Sequence, residues 1–149
     1  MFTGIIEEIG KVYSLNGYEL TVECNKILSN SKIGDSISTS GICLTITKID
    51  KNKISFDLSE ETISKTVFGK DQKITHVNLE RSATLETRIG GHLVEGHVEN
   101  IGKCREINKL NESTVVTFEV NQNIIDNIIE KGYIAIDGTS LTVNEINKK

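Results

Sequence analysis

Apolar and polar positions alternate with a period of two along most of this chain. In YELTVEC (18 to 24), Tyr18, Leu20, Val22 and Cys24 share one face while Glu19, Thr21 and Glu23 share the other. That is the signature of an antiparallel strand with one buried side. VVTFEV repeats it with Val116, Phe118 and Val120. Further strands are predicted at DSISTS, CLTITKI, KISFDLS and THVNLER, each bounded by Gly, Asn, Lys or Asp. The period changes in NQNIIDNIIEKG, where Ile124, Ile125, Ile128 and Ile129 form a helical stripe and Gly132 is placed to cap it in the left-handed conformation.

The pattern is written twice. FTGIIEEIGKV near the start matches VEGHVENIGKC at 94 to 104, setting Gly4 on Gly96 and Gly10 on Gly102. IGDSISTSGICLTITKID (33 to 50) matches KGYIAIDGTSLTVNEIN (131 to 147) in the same order, with Cys43 where Ser140 stands. A whole domain has therefore been duplicated in tandem, with units at 1–85 and 86–149 and a seam near Leu85 to Gly91. About six short strands and one short helix per unit predict an all-β protein of two similar small antiparallel Greek-key barrels, since closure removes exposed strand edges. The second copy ends where the first reaches Asn52, so nothing matches residues 53 to 80 and the second barrel is expected to be incomplete. A longer gene product and strands supplied by another chain both fit that reading.

Alternation in CLTIT sends Leu44 and Ile46 to one face and Cys43, Thr45 and Thr47 to the other; SLTV separates Leu141 and Val143 from Ser140 and Thr142 in the same way. A thiol and hydroxyl face presented twice fits a ligand held between barrels, and equally a strand whose Thr and Ser face water. Taken alone, Cys43 reads more readily as a small buried hydrophobe than as a nucleophile. His92 and His97, five apart, fall on opposite faces of a strand without a ligand set beside them, so no metal site is expected. His76 reads as a strand surface residue. Gly90 and Gly91 fit a hinge or a close backbone approach. No nucleophile elbow, P-loop or dinucleotide fingerprint is present. A net charge of -4 and 5% aromatic residues argue against nucleic acid as a partner. Three cysteines without paired spacing argue against a disulfide framework. No leader or long apolar run stands out, so a soluble, cytoplasmic protein without a membrane partner is expected.

MFTGI at the start, GICLT at 41 to 45, FDLSEET at 56 to 62, GGHLVEGHV at 90 to 98 and KGYIAIDGTSLTV at 131 to 143 occur in one order and register. Together they resemble riboflavin synthase of the alpha-chain type, built from two similar barrels, whose fold lumazine-binding fluorescence proteins share. The resemblance implies a dismutation: one 6,7-dimethyl-8-ribityllumazine gives a four-carbon unit to another, yielding riboflavin and 5-amino-6-(ribitylamino)uracil. No metal or redox cofactor is implied. In the family the active site lies where the first barrel of one subunit meets the second of another in a homotrimer held by a C-terminal helix. Nothing in this sequence matches that helix, so a monomer or a heterogeneous associating species is expected.

Carried over motif by motif, the resemblance makes Cys43, His97, Ser140 and Thr142 the candidate catalytic residues. His97, Ser140 and Thr142 would handle protons, and Cys43 with Thr45 would face the other ring. Phe2, Gly4, Ile5, Ile6, Ser36, Leu44 and Thr45, with Asp57, Leu58, Ser59, Glu60, Glu61 and Thr62, would line a first substrate pocket. Gly96, Val98, Lys131 and Leu141 would line a second. On that grouping residues 1–85 hold both halves of the first pocket and should bind a flavin without turning over. A lumazine or flavin carrier without activity is the alternative, favoured by the missing strands.

Overall fold

The computed structural model describes residues 1–70 and 73–147; the final two positions of the second unit lie outside the described residues. Six strands, β1 (Glu8–Asn16), β2 (Glu19–Glu23), β3 (Ser36–Thr39), β4 (Ile42–Asp50), β5 (Lys53–Asp57) and β6 (His76–Arg81), close into a barrel. Their order is β1-β2-β5-β4-β3-β6, and every pairing is antiparallel. The connection from β2 to β3 passes over the β4–β5 hairpin, which makes the topology a Greek key.

Alternation fills the barrel as the sequence leads one to expect. Leu20 and Val22 of β2, Leu44 and Ile46 of β4, Ile54 and Phe56 of β5 and Leu79 of β6 are buried together, while Cys43 and Thr45 stay exposed. Each such side chain contributes about 1.5–3 kcal/mol by leaving water. Thr21 and Ser55 oppose each other across β2 and β5, and their hydroxyls bond at 2.9 Å, so that both are buried without an orphaned polar atom. Tyr18 departs from its expected face. It precedes β2, beside Gly17, and is 54% exposed.

KISFDLS is not one strand. β5 stops at Asp57, and Ser59 caps helix α1 (Glu60–Lys65), its hydroxyl accepting the Thr62 amide at 3.0 Å. Glu60 and Glu61 in the first turn favour the positive end of the helix, and Glu61 bonds Lys65 one turn on at 2.7 Å.

The second half forms two separate hairpins, β7 (Lys103–Lys109) with β8 (Thr114–Glu119) and β9 (Tyr133–Ile136) with β10 (Thr139–Thr142). Among the described residues no strands match β5 and β6 there, and apolar side chains of the hairpins stand exposed: Ile107 is 59% exposed and Leu141 42%. The helix expected over 121–132 shrinks to α2 (Gln122–Ile125) followed by turns. Isolated short helices are marginal, and this isoleucine stripe has little wall to bury against, with Ile129 73% exposed. The left-handed residue at its end is Lys131, at φ 62°, and not Gly132.

Candidate functional site

The repeated stretch first makes a turn. Ser40-Gly41 joins β3 to β4 and Asp137-Gly138 joins β9 to β10, with both residues of each pair at positive φ, as a tight right-twisting hairpin requires. The two turns meet: a Cβ on Gly41 would stand 2.9 Å from the Gly138 nitrogen, and one on Gly138 would stand 2.8 Å from that of Gly41. Asn78 ties them, its backbone bonding Ser40 and its amide donating to the Asp137 carbonyl at 3.0 Å. Burial raises the Asp137 carboxyl above its usual range.

Behind each turn the equivalent strands β4 and β10 present Cys43 and Ser140, and here the units exchange segments. The Ser140 amide donates to the Gly4 carbonyl at 2.8 Å, and the Cys43 amide donates to the Gly96 carbonyl at 2.9 Å. Gly4 and Gly96 sit at φ 74° and 87°, and a Cβ on either would lie 2.6 Å from the Cβ of its partner. Phe2 and Val94, which occupy matching repeat positions, pair with each other through bonds of 2.8 and 3.0 Å. Each of these two glycines thus meets the strand of the unit opposite to the pocket it was grouped with in the sequence. Gly4 of the first unit lies along the second unit's β10 and Gly96 of the second lies along the first unit's β4, where a Cβ on Gly96 would also stand 3.0 Å from the Phe2 ring. A glycine one repeat away reaches the strand because the two arms cross at Phe2 and Val94.

The amino-terminal arm is gripped by Glu80, which sequence reasoning missed. This buried carboxylate accepts the Thr3 amide at 2.7 Å, the Thr3 hydroxyl at 2.6 Å and the Gly4 amide at 3.0 Å. Alternation in β6 puts Glu80 outside the barrel; the arm covers it. Next to it Arg81 forks onto Glu7, with a shortest contact of 2.5 Å. Burial alone would raise Glu7, but the bonds and charge of Arg81 outweigh it and hold this carboxylate below its usual range.

The histidines also change places. His97 is 83% exposed and stands 3.6 Å from Glu95. It belongs to the Cys43 side, near enough to Glu61 to add to the lowering of that carboxylate, most of which comes from Lys65. The histidine on Ser140 is His92, whose Nδ1 lies 2.7 Å from the hydroxyl. The five-residue spacing separates the two, but the segment is an arm and not a strand, so the site each one serves is set by the crossing.

Other candidates are spread around these two centres. Thr45 and Thr142 are exposed beside Cys43 and Ser140, Leu44 points into the barrel, and Ser36 pairs with Thr45 across β3 and β4. Asp57, Ser59, Glu60 and Glu61 are exposed and Leu58 is buried. Ile5 is 49% exposed, Ile6 is half-buried, and Val98 packs on the first barrel's core. Lys131 donates to the Asn144 side chain at 2.7 Å and its amide bonds Val143 just past β10. Cys24 is buried, which pushes its thiol up to about 12 and leaves it unreactive, whereas Cys43 is exposed. Among the described residues no group of three or more His, Cys, Asp or Glu is placed to hold a metal ion, and no helix is long and apolar enough to cross a membrane.

Two barrel-type units, each offering a polar strand crossed by the other's glycine arm, define a chain of the lumazine-binding class, and the family model for the lumazine binding domain matches residues 3–82 and again 95–149. Riboflavin synthase of Actinobacillus pleuropneumoniae is 39% identical over 147 residues, spanning 96% of this chain and 68% of that protein. That of Photobacterium phosphoreum is 40% identical over 98% of this chain and 69% of its own length, and that of Bacillus subtilis (strain 168) is 37% identical over 96% and 68%. The chain belongs to the riboflavin synthase family. The crystal structure of LumP complexed with riboflavin superimposes with a TM-score of 0.89 at 23% identity, covering 99% of this chain and 82% of that one; at that identity the likeness is one of fold.

Proposed function

We propose that the chain acts as a riboflavin synthase, converting two molecules of 6,7-dimethyl-8-ribityllumazine to riboflavin and 5-amino-6-(ribitylamino)uracil. The observation that carries this is the crossed pair of equivalent contacts, Cys43 against Gly96 and Ser140 against Gly4, which frame two similar candidate clefts. A reaction between two identical molecules needs the same cleft twice, and a duplicated fold provides it. Cys43 and Thr45 face one ring, whose carbon 7 accepts a nucleophile; Ser140 and Thr142 face the other, whose 7-methyl group loses a proton. Asp57 to Thr62, at the end of β5 and the start of α1, cover the first ring, and Lys131 borders the second. The rings stack when the first unit of one copy meets the second unit of another, so that holding them together supplies much of the rate. His97 and Glu61 lie on the Cys43 side of that pair.

The open apolar face of the second unit favours a second reading, a chain that binds the flavin or lumazine without catalysis. Both readings require two clefts. Riboflavin titration followed by fluorescence quenching should give about two sites per chain. Gly96→Val and Gly4→Val should each remove one, because a side chain at these left-handed positions collides with Cys43 or Ser140. Unchanged stoichiometry in both folded variants would refute the assignment of the clefts.

A further inference from the structure

The two units differ most at one strand edge. β7 and β8 repeat β1 and β2 down to the register: Cys104 faces Phe118 and Ile107 faces Val116 where Val12 faces Val22 and Leu15 faces Leu20, with a bulge between in each case. In the first unit the far edge of β2 carries β5, which sets Leu20 against Phe56 and Val22 against Ile54 and leaves all four buried. Leu58 donates to Tyr18 and Cys24 to Asn52 at the ends of that ladder, so Leu20 and Val22, in step with them, are the residues whose backbone groups point at β5. The equivalent groups of Val116 and Phe118 point outward from β8, and among the described residues no strand pairs with them. Open edges are usually blunted. That of β7 is bulged at Arg105 and carries Lys103, Arg105 and Lys109; β10 is met at Ser140 by Gly4; β9 is four residues long. TVVTFE of β8 has no bulge, lysine or proline, and its one charge, Glu119, is paired with Arg105.

We propose that the outer edge of β8 is the surface through which two copies of this chain pair, antiparallel about a twofold axis at Thr117. Only outward-pointing backbone groups can bond across the axis, so it must fall on a residue and not between two. Axes at Val116 and at Thr117 both overlap most of the strand. The axis at Thr117 sets Val116 opposite Phe118 of the partner subunit, an aliphatic–aromatic pair like Leu20 with Phe56, on the face that also bears Cys104 and Ile107. On the other face Thr117 meets its own copy and Glu119 meets Val115 of the partner subunit, so no charge opposes its like. The axis at Val116 would waste Phe118 on a threonine. Pairing at Thr117 therefore joins the two hairpins into one four-stranded sheet whose apolar residues share a face. β8 carries none of the cleft residues, so this contact is separate from the one that stacks the rings and does not rest on the synthase reading.

The test is made on the whole chain. Sedimentation should show a dimer at about 100 µM that gives way to monomer on dilution, as a small interface does, and hydrogen exchange at the Val116 and Phe118 amides should slow as the dimer forms. For the register, the exposed cysteines are removed by Cys43→Ser and Cys104→Ser and a single new thiol is added. Thr117→Cys brings two Cα atoms to about 4.5 Å across the axis, within disulfide reach, whereas Glu119→Cys leaves its own copy about 13 Å away along the strand. Under mild oxidation Thr117→Cys should cross-link at least about tenfold faster than Glu119→Cys. Val116→Pro removes an outward N–H and spares the bonds to β7, and Phe118→Lys puts a charge on the covered face; each should weaken association by about tenfold or more. A chain that stays monomeric at this concentration would overturn the proposal. So would a dimer that cross-links no faster through Thr117→Cys than through Glu119→Cys, or one that both edge variants leave unchanged, since the contact would then lie elsewhere.

Discussion

Replacing Glu80 by alanine should lower riboflavin formation by about 100-fold or more while the first barrel stays folded. Three donors on Thr3 and Gly4 end on this one carboxylate, and a buried donor left without a partner costs about 1–3 kcal/mol. The arm can avoid that cost only by leaving the barrel. Gly4 then no longer meets the Ser140 amide, and Thr3 no longer meets that of His92. Glu80→Gln is not a silent substitute, because an amide offers one acceptor oxygen where two carboxylate oxygens are used, and its NH2 would face an N–H donor. Hydrogen exchange at the Thr3 and Gly4 amides reads the arm directly. Loss of their protection with turnover unchanged would separate the arm from catalysis.

The second large effect concerns a fragment ending at Leu85. Its six strands close on themselves, and the buried residues of its core run from Leu20 to Val77 and Leu79, so it should fold alone. The sequence leads one to expect that such a fragment also binds riboflavin, because FTGII, CLT and DLSEET are all within it. The crossing changes that expectation. Cys43 loses the Gly96 arm that lies along it, and the amino-terminal arm loses Val94 and Ser140. Riboflavin should bind the folded fragment at least about tenfold more weakly than it binds the intact chain, about 1.4 kcal/mol, and no product should form. Binding as tight as that of the intact chain, measured by fluorescence quenching, would mean that Gly96 is no part of the first cleft.

These expectations mark what the sequence makes legible. Local periodicity placed Leu44 and Ile46 inside and Cys43 and Thr45 outside, because a strand's side chains must alternate and one face must be buried. The repeat located Gly4, Gly96, Cys43 and Ser140 as equivalent positions. What it could not tell was which glycine meets which strand, since that depends on two arms crossing at Phe2 and Val94, a contact that no periodicity encodes. Glu80 was hidden for the same reason: it lies on the outer face of β6, as alternation requires, and becomes buried only when the arm folds over it. Strand spacing weighs His92 only beside His97 as a metal ligand, and the segment that carries both is an arm, so it gives no sign of the contact with Ser140. The isoleucine helix failed because helical periodicity becomes a helix only where tertiary packing supports it, and the open second unit gives little.

One consequence of the duplicated geometry is that neither unit owns a complete cleft. β4 at Cys43 and β10 at Ser140 are each met by a backbone carbonyl from the other half.

The central claim is that these two clefts hold two identical rings for reaction with each other. Its most direct measurement is to mix the chain with 6,7-dimethyl-8-ribityllumazine alone, without metal or redox cofactor, and follow riboflavin by absorbance and chromatography. The account predicts one riboflavin formed for every two lumazines consumed, and saturable quenching of lumazine fluorescence by the chain with no riboflavin formed would contradict it.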